Sequence, residues 1–269
     1  MVANTELQRV GSSGWRTGLA NLLNKENRTW WAARRWLVQS VLWVVILDGL
    51  TALWMFVIPA VAAAKGQPGL DGLTTGVQLL FDLGSFVLAM GAVILVQGEI
   101  LGERQMGVTE WVLSKPVSRK AYVLSKLLAH GLGVLVIVVA FPGAVGYGLA
   151  SLKMGGPFPL LPYLVGMAGL AVHTLLYLTL TLMMGVLTAN RNMLLGVSLG
   201  ALLGGSMIVG TGLLGGLTWF TPWALGKLLA FTAVGAPVPL SIWVPIGITA
   251  MLSVIFVTVA LARFERLEF

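Results

Sequence analysis

The stretch GEILGERQMGVTEWVLSKPVSRKAYVLSK, residues 98–126, is the only long polar segment inside an otherwise apolar chain. It carries three carboxylates and five basic residues, and apolar runs of membrane-spanning length flank it on both sides. A soluble domain has about 25% charged residues, whereas this chain of 269 residues has 10% charged and 57% hydrophobic residues. The composition therefore predicts an all-α, polytopic membrane protein with this segment at a water–lipid boundary.

Six apolar runs have about the 20 residues that a helix needs to cross a bilayer. The predicted spans are residues 36–63, 75–97, 121–149, 161–189, 193–217 and 241–262. Fourteen of the 17 Lys and Arg residues lie in the N-terminal segment, the second and fourth loops and the tail, and three lie in the other loops. Because basic residues mark the cytoplasmic side, both termini and the 98–126 segment are predicted to be cytoplasmic, in a plasma or inner membrane.

Two further segments are predicted from their apolar patterns, within one transmembrane domain over residues 1–269. Residues 14–35 place Trp15, Leu19 and Leu22 on one helical face, which is typical of a helix in the membrane interface. Residues 219–239 are too apolar for a free loop and contain Pro222, Gly226, Gly235 and Pro237. They are predicted to form a re-entrant extracellular segment before the last span.

Within the polar stretch, the spacing predicts a helix, a break and a second helix. Four residues share one predicted helical face: Glu99, Glu103, Gly107 and Glu110. Pro116 is expected to break the helix because it lacks an N–H group. Ser118 is expected to cap a new helix that begins at Arg119. A solvated loop, whose charges only keep it out of lipid, is the alternative interpretation.

The pattern of Glu103, Gly107, Glu110 and Leu113, then Lys115 to Arg119 and Lys126, resembles the first cytoplasmic loop of type-2 ABC exporter permeases. The resemblance implies that residues 98–118 are a coupling loop that contacts a separate ATP-binding subunit. The contact residues it implies are Glu99, Glu103, Arg104, Gly107, Glu110, Lys115 and Arg119. It also implies two ATP-binding subunits that carry ATP and Mg, no cofactor on this chain, and a second permease copy, identical or related. Elbow and re-entrant elements like the two predicted above are also features of this family.

Four ionisable residues fall within predicted spans: Asp48, Asp82, His130 and His173. Such residues are costly in lipid and often mark substrate or proton paths. Hydrogen bonding inside the helix bundle is the alternative explanation. If Asp48 or Asp82 carries protons, the chain is a proton-coupled secondary transporter, which is the second functional hypothesis.

The sequence contains no motif for catalysis or for a metal site. It lacks a phosphate-binding loop, a metalloprotease motif and a nucleophile elbow, and it has no Cys. A membrane enzyme is therefore disfavoured, and no catalytic or metal-ligating residues are predicted. The net charge of +7 does not indicate nucleic acid as a partner, because the basic residues cluster at the ends of apolar runs.

Glycines recur every four residues in the fifth span, at Gly196, Gly200 and Gly204. Such a stripe lets two helix backbones approach closely. The sequence leaves open whether the close neighbour is another helix of the same chain or a second copy.

Overall fold

The computed structural model describes residues 14–32, 34–67, 69–238 and 240–267, and this part of the chain is helical without a strand. Its α-helices are α1 (Leu19–Trp31), α2 (Arg35–Ala52), α3 (Ile58–Ala64), α4 (Gly72–Val96), α5 (Leu101–Gln105), α6 (Val108–Leu113), α7 (Arg119–Gly133), α8 (Phe141–Met154), α9 (Leu160–Leu187), α10 (Arg191–Thr211), α11 (Leu225–Ala233) and α12 (Trp243–Glu265).

Six helical stretches are long and apolar enough to cross a membrane, which confirms the predicted all-α, six-span architecture. They are Trp36–Ala64, Gly72–Gln105, Arg119–Met154, Leu160–Leu187, Arg191–Thr211 and Trp243–Glu265. The stretch that contains α9 is the most buried, at 78%, whereas those of α10 and α12 are 22% and 17% buried. The helix α9 is therefore the centre of the bundle, and α10 and α12 leave wide faces uncovered.

The first and third spans each contain a π-helical turn, at Leu53–Val57 and Val134–Ala140. Each turn is followed by a proline, Pro59 or Pro142, at the start of the next helix. Proline has no N–H to bond the carbonyl one turn earlier, so the regular hydrogen-bond ladder is interrupted there. The carbonyl of Met55 lies against α4, where a Cβ added to Gly72 would be 2.3 Å from its oxygen.

The fifth span ends at Thr211, six residues before the predicted end, because Gly212 has a left-handed φ of +66°. Two short 3₁₀ helices follow and pack against α12, and α11 then folds back onto α4 and α9. Leu225, Leu228 and Leu229 on α11 are fully buried, so this segment is part of the core. Its re-entrant position in a membrane stays a prediction.

The helix α1 runs beside α7 in the same chain direction. The N–H of Ser118 donates to the carbonyl of Thr17 at 3.1 Å, and further along the Trp30 ring covers Gly133 so closely that a Cβ there would lie 2.5 Å from it. Positions about 100 residues apart are thus paired along the two helices. This pairing gives α1 a protein neighbour along its length, and its predicted place in the membrane interface stays a prediction.

Candidate functional site

The polar segment that connects the second and third spans is divided at Gly107. The helix α5 ends at Gln105, Gly107 has a left-handed φ of +70°, and α6 begins at Val108. Glycine adopts that conformation without the steric cost that a Cβ would bring. The predicted single helical face with Glu103, Gly107 and Glu110 is therefore wrong, since the two carboxylates lie on separate helices.

The predicted cap at the start of α7 is confirmed. The Ser118 hydroxyl oxygen accepts a hydrogen bond from the Ala121 N–H at 2.9 Å. The same hydroxyl donates to the carbonyl of Trp15 at 2.5 Å. Ser118 therefore starts the third span and also ties it to the turn that precedes α1.

The carboxylate of Glu103 points into the protein. Its Oε2 lies 3.1 Å from Nζ of Lys126 and accepts a 2.6 Å hydrogen bond from the Tyr122 hydroxyl. Its Oε1 accepts from Nζ of Lys25, on α1, at 3.2 Å. The Tyr122 hydroxyl also meets the buried Thr109 hydroxyl of α6 at 3.1 Å. Glu103 therefore joins α5 to α1 and α7.

Lys126 is the centre of this arrangement and is fully buried. Besides Glu103, its ammonium group lies 3.3 Å from Oε1 of Glu26 and 3.8 Å from Oε2 of Glu99. A buried ammonium group needs such partners because its desolvation costs several kcal/mol. We call Glu26, Glu99, Glu103, Lys126 and His130 the buried ion cluster.

The hydrogen bond from Trp30 determines which ring nitrogen of His130 carries the proton. The indole N–H of Trp30 donates to Nδ1 of His130 at 2.9 Å. Because an indole nitrogen can only donate, Nδ1 must be unprotonated, and the neutral ring carries its proton on Nε2. Nε2 lies 3.0 Å from Oε2 of Glu99 and 3.7 Å from Oε2 of Glu26. The ring therefore offers a proton toward the carboxylates.

Glu26, Glu99 and His130 could bring three ligand atoms within 4.8 Å of one another. A neutral imidazole that binds a metal through Nε2 must carry its proton on Nδ1, where it normally donates to an acceptor. Here Trp30 donates to Nδ1, and the ammonium group of Lys126 lies among the same carboxylates. The donor set therefore fits a network of charges and protons better than a metal ion.

The charges of the cluster shift the pKa values of the α1 residues. Burial raises the pKa of Glu26, but the neighbouring imidazole of His130 and the charges of Lys126 and Lys25 outweigh it and lower the pKa to about 2. Burial opposes the charged form of Lys25, yet Glu103 and Glu26 raise its pKa above the usual value. Both residues are therefore charged at neutral pH, and they attach α1 to the cluster.

Arg104 and Arg119 bind backbone carbonyls at the ends of other helices. The guanidinium of Arg104 donates to the carbonyls of Gly185 at 3.1 Å and Val186 at 2.9 Å, at the end of α9. That of Arg119 donates to the carbonyl of Glu265 at 2.7 Å, at the end of α12. A cation at a helix C-terminus stabilises carbonyls that lack helical partners.

The remaining candidate contact residues lie at the surface. Gly107, Glu110 and Lys115 are exposed, and the Trp111 ring between them is 64% exposed. The Lys115 ammonium lies 4.3 Å from the centre of that ring. Of the seven residues that the resemblance implied, Glu99, Glu103 and Arg104 therefore point inward, whereas Gly107, Glu110 and Lys115 are accessible.

The ionisable residues predicted within spans do not share one site. His130 belongs to the buried ion cluster. Asp48 is 3% exposed, and neither carboxylate oxygen has a hydrogen-bond partner among the described residues. His173 is buried with its ring 5.2 Å from Tyr177. Asp82 is exposed beside α11, in a cavity that it shares with Lys227.

The glycine stripe of the fifth span has no close neighbour in the described part of the chain. A Cβ added to Gly196, Gly200 or Gly204 would meet nothing within 4 Å. The glycine of α10 that makes a tight contact is Gly205, where a Cβ would lie 2.0 Å from the Trp223 ring. Contact of the stripe with a second copy stays a prediction.

Comparison with known protein families gives a match over nearly the whole chain. The family model described as "ABC-2 family transporter protein" matches residues 20–269. The chain belongs to this family. It is 28% identical over 130 residues to the "Probable ABC transporter permease protein NosY" of Pseudomonas aeruginosa, covering 42% of this chain and 46% of the relative. It is 30% identical over 121 residues to the NosY protein of Stutzerimonas stutzeri, covering 45% of this chain and 40% of the relative. The matched part is thus less than half of each relative.

Proposed function

We propose that the chain is the membrane-spanning permease subunit of an ATP-driven ABC exporter. Two copies, or this chain and a related permease, pair in the membrane, and two ATP-binding subunits with ATP and Mg dock on the cytoplasmic side. Membership of the ABC-2 family, the permease names of the two relatives and the six spans support this proposal.

The observation that carries the proposal is the division of the polar segment into an inner and an outer half. The outer surface of α6 and the turn after it present Glu110, Trp111 and Lys115, which we call the docking face. Beneath it, Thr109 and Val112 are buried. A charged and aromatic surface on a firmly held short helix is suited to a protein partner, because aromatic anchors contribute much of the binding energy at interfaces.

The inner half is suited to transmit movement. A displacement of α5 and α6 acts on Glu103, and through Lys126 it reaches α1 and α7. Through Arg104 it reaches the end of α9, the central helix. Closure of the ATP-binding subunits would thus be passed to α1 and to the third and fourth spans by charged contacts that are largely buried.

The experiment compares Glu110→Lys with Glu103→Gln in the assembled transporter. Removing one partner of a desolvated charge pair at an interface costs about 2–5 kcal/mol, so Glu110→Lys should weaken binding of the ATP-binding subunit by at least about 30-fold. Its melting temperature should stay unchanged, because Glu110 is exposed. Glu103→Gln should lower the melting temperature of the permease alone. Unchanged binding of the ATP-binding subunit and unchanged ATP hydrolysis in the Glu110 variant would contradict the assignment of this surface as the docking face.

Asp48 supports the second candidate, a proton-coupled transporter. An ionisable residue that is buried in a span without hydrogen-bond partners often marks a proton path. In that case Asp48→Asn should abolish transport, whereas the docking-face variant should not. Uptake or release driven by a pH gradient in vesicles without any ATP-binding subunit would establish this candidate and exclude the ABC mechanism.

A further inference from the structure

A cavity of about 400 Å³ lies between α4 and α11, and none of its lining residues belongs to the docking face. Asp82 and Lys227 line it, and no other charged residue does so within the described part of the chain. Thr75 and Gln78 add a hydroxyl and an amide group, and the rings of Trp54 and Phe231 complete the wall. We call this cavity the α4–α11 cleft.

Close contact between the two helices places the charges together. A Cβ on Gly226 would lie 2.2 Å from the Ser85 hydroxyl oxygen, so only glycine allows α11 to approach α4 at this point. Lys227 follows Gly226 directly, and Asp82 lies three residues before Ser85. The Ser85 hydroxyl also donates to the carbonyl of Asp82 at 2.7 Å, which fixes this side of the cleft.

The position of Asp82 makes contact with lipid unfavourable. It is the eleventh of the 25 residues of α4, so it lies about 15 Å along the helix from its first residue. That depth is about half the thickness of the hydrocarbon core, where charged side chains face the bundle interior or a water-filled cavity. Because Asp82 is exposed in the single chain, something other than hydrocarbon must cover it.

Asp82 and Lys227 attract each other electrostatically but form no direct ion pair. Among the described residues, neither Asp82 nor Lys227 has an ion-pair partner within 4 Å. The cleft therefore has no net charge and holds one charge of each sign without a direct ion-pair contact. A simple cation would leave Lys227 unpaired, and a simple anion would leave Asp82 unpaired.

We propose that the α4–α11 cleft binds a zwitterion whose ammonium group contacts Asp82 and whose carboxylate or phosphate contacts Lys227. An apolar portion of the ligand would contact Trp54 and Phe231. A free amino-acid-like solute and a zwitterionic lipid headgroup share this chemistry. If the ligand is the cargo, the inference rests on the transport function proposed above. The test measures binding without ATP. A cleft that binds no zwitterion can therefore be distinguished from a transporter that is not driven by ATP.

The test uses the full chain, which has no Cys, with Gln78→Cys as a reporter in phosphatidylglycerol vesicles. Two charged thiosulfonates, one trimethylammonium and one sulfonate, should both modify this thiol, because the reaction needs water. Asp82→Asn should slow the cationic reagent about fivefold relative to the anionic one, the factor for unit charges about 4 Å apart in water. Lys227→Gln should instead slow the anionic reagent relative to the cationic one. Val45→Cys, at an exposed apolar position of α2, is the control and should stay unmodified.

Binding is measured as protection of the same thiol. Added phenylalanine, or phosphatidylethanolamine in place of phosphatidylglycerol, should slow modification at least fivefold, and the two arms distinguish a solute from a lipid headgroup. Protection should disappear in the Asp82→Asn/Lys227→Gln variant. An unreactive thiol would show that lipid or a second copy seals the cleft and would overturn the proposal. A reactive thiol that neither zwitterion protects, or whose rates ignore the two charges, would overturn it as well.

Discussion

Replacing Lys126 by Met tests the buried ion cluster most directly. Methionine nearly matches the length of the lysine side chain but removes the ammonium group, which contacts three carboxylates at 3.1, 3.3 and 3.8 Å. Breaking a buried ion pair by removing one partner costs about 3–5 kcal/mol, because the other charge stays buried without compensation. For a chain of this size, 1 kcal/mol corresponds to about 2–4 °C in melting temperature. We therefore expect a decrease on the order of 10 °C for the purified protein in detergent.

The matched control is Lys120→Met, on the same helix. Lys120 pairs with Glu265 at 3.2 Å, but both side chains are more than 40% exposed, and such pairs contribute about 1 kcal/mol or less. The double variant Lys126→Met/Glu103→Gln should recover part of the loss, since it removes one of the uncompensated charges. Equal melting temperatures for the Lys126 and Lys120 variants would refute the assignment of Lys126 as the centre of the cluster.

Three other predictions concern pH, packing and topology. Because Glu26 has a lowered pKa in the folded protein, its stabilising contribution is complete above about pH 4.5, the pKa in the unfolded chain, and is lost as the pH falls toward 2. The melting temperature of Glu26→Gln should therefore change less with pH across this range than that of the unchanged protein. Gly205→Leu should destabilise the folded chain, whereas Gly200→Leu should leave its melting temperature unchanged and, if two copies meet there, weaken their association in cross-linking. In intact cells an impermeant thiol reagent should label Lys65→Cys and spare Arg191→Cys; the reverse pattern would invert the topology.

The number of spans could be predicted because it depends on composition over about 20 residues. The ends could not be predicted equally well, since they depend on single backbone conformations. Gly212 terminates the fifth span, and Gly107 separates α5 from α6, each with a positive φ. The sequence contains 34 glycines, and nothing in its local pattern distinguishes these two.

The inward direction of Glu103 depends on contacts between distant parts of the chain. Lys25 and Glu103 are 78 residues apart, and Trp30 and His130 are 100 residues apart. One signal was nevertheless present. Glu26 and Trp30 are four residues apart, and so are Lys126 and His130, so each pair shares one helical face. When α1 and α7 lie side by side, Glu26 meets Lys126 and Trp30 meets His130. An acid is thus paired with a base, and an indole with an imidazole.

If Glu110, Trp111 and Lys115 form the docking face proposed above, the division of the polar segment also explains why the segment carries charges away from that face. Glu99 and Glu103 form ion pairs and Arg104 binds carbonyls inside the protein, where charged contacts are partly shielded from salt and water. Glu110 and Lys115 are exposed, and in the proposed function they contact the ATP-binding subunit. A segment that both holds three spans together and presents a surface must keep these tasks on separate helices. The left-handed turn at Gly107 achieves this, because it rotates α6 away from the face of α5 that contacts Lys126.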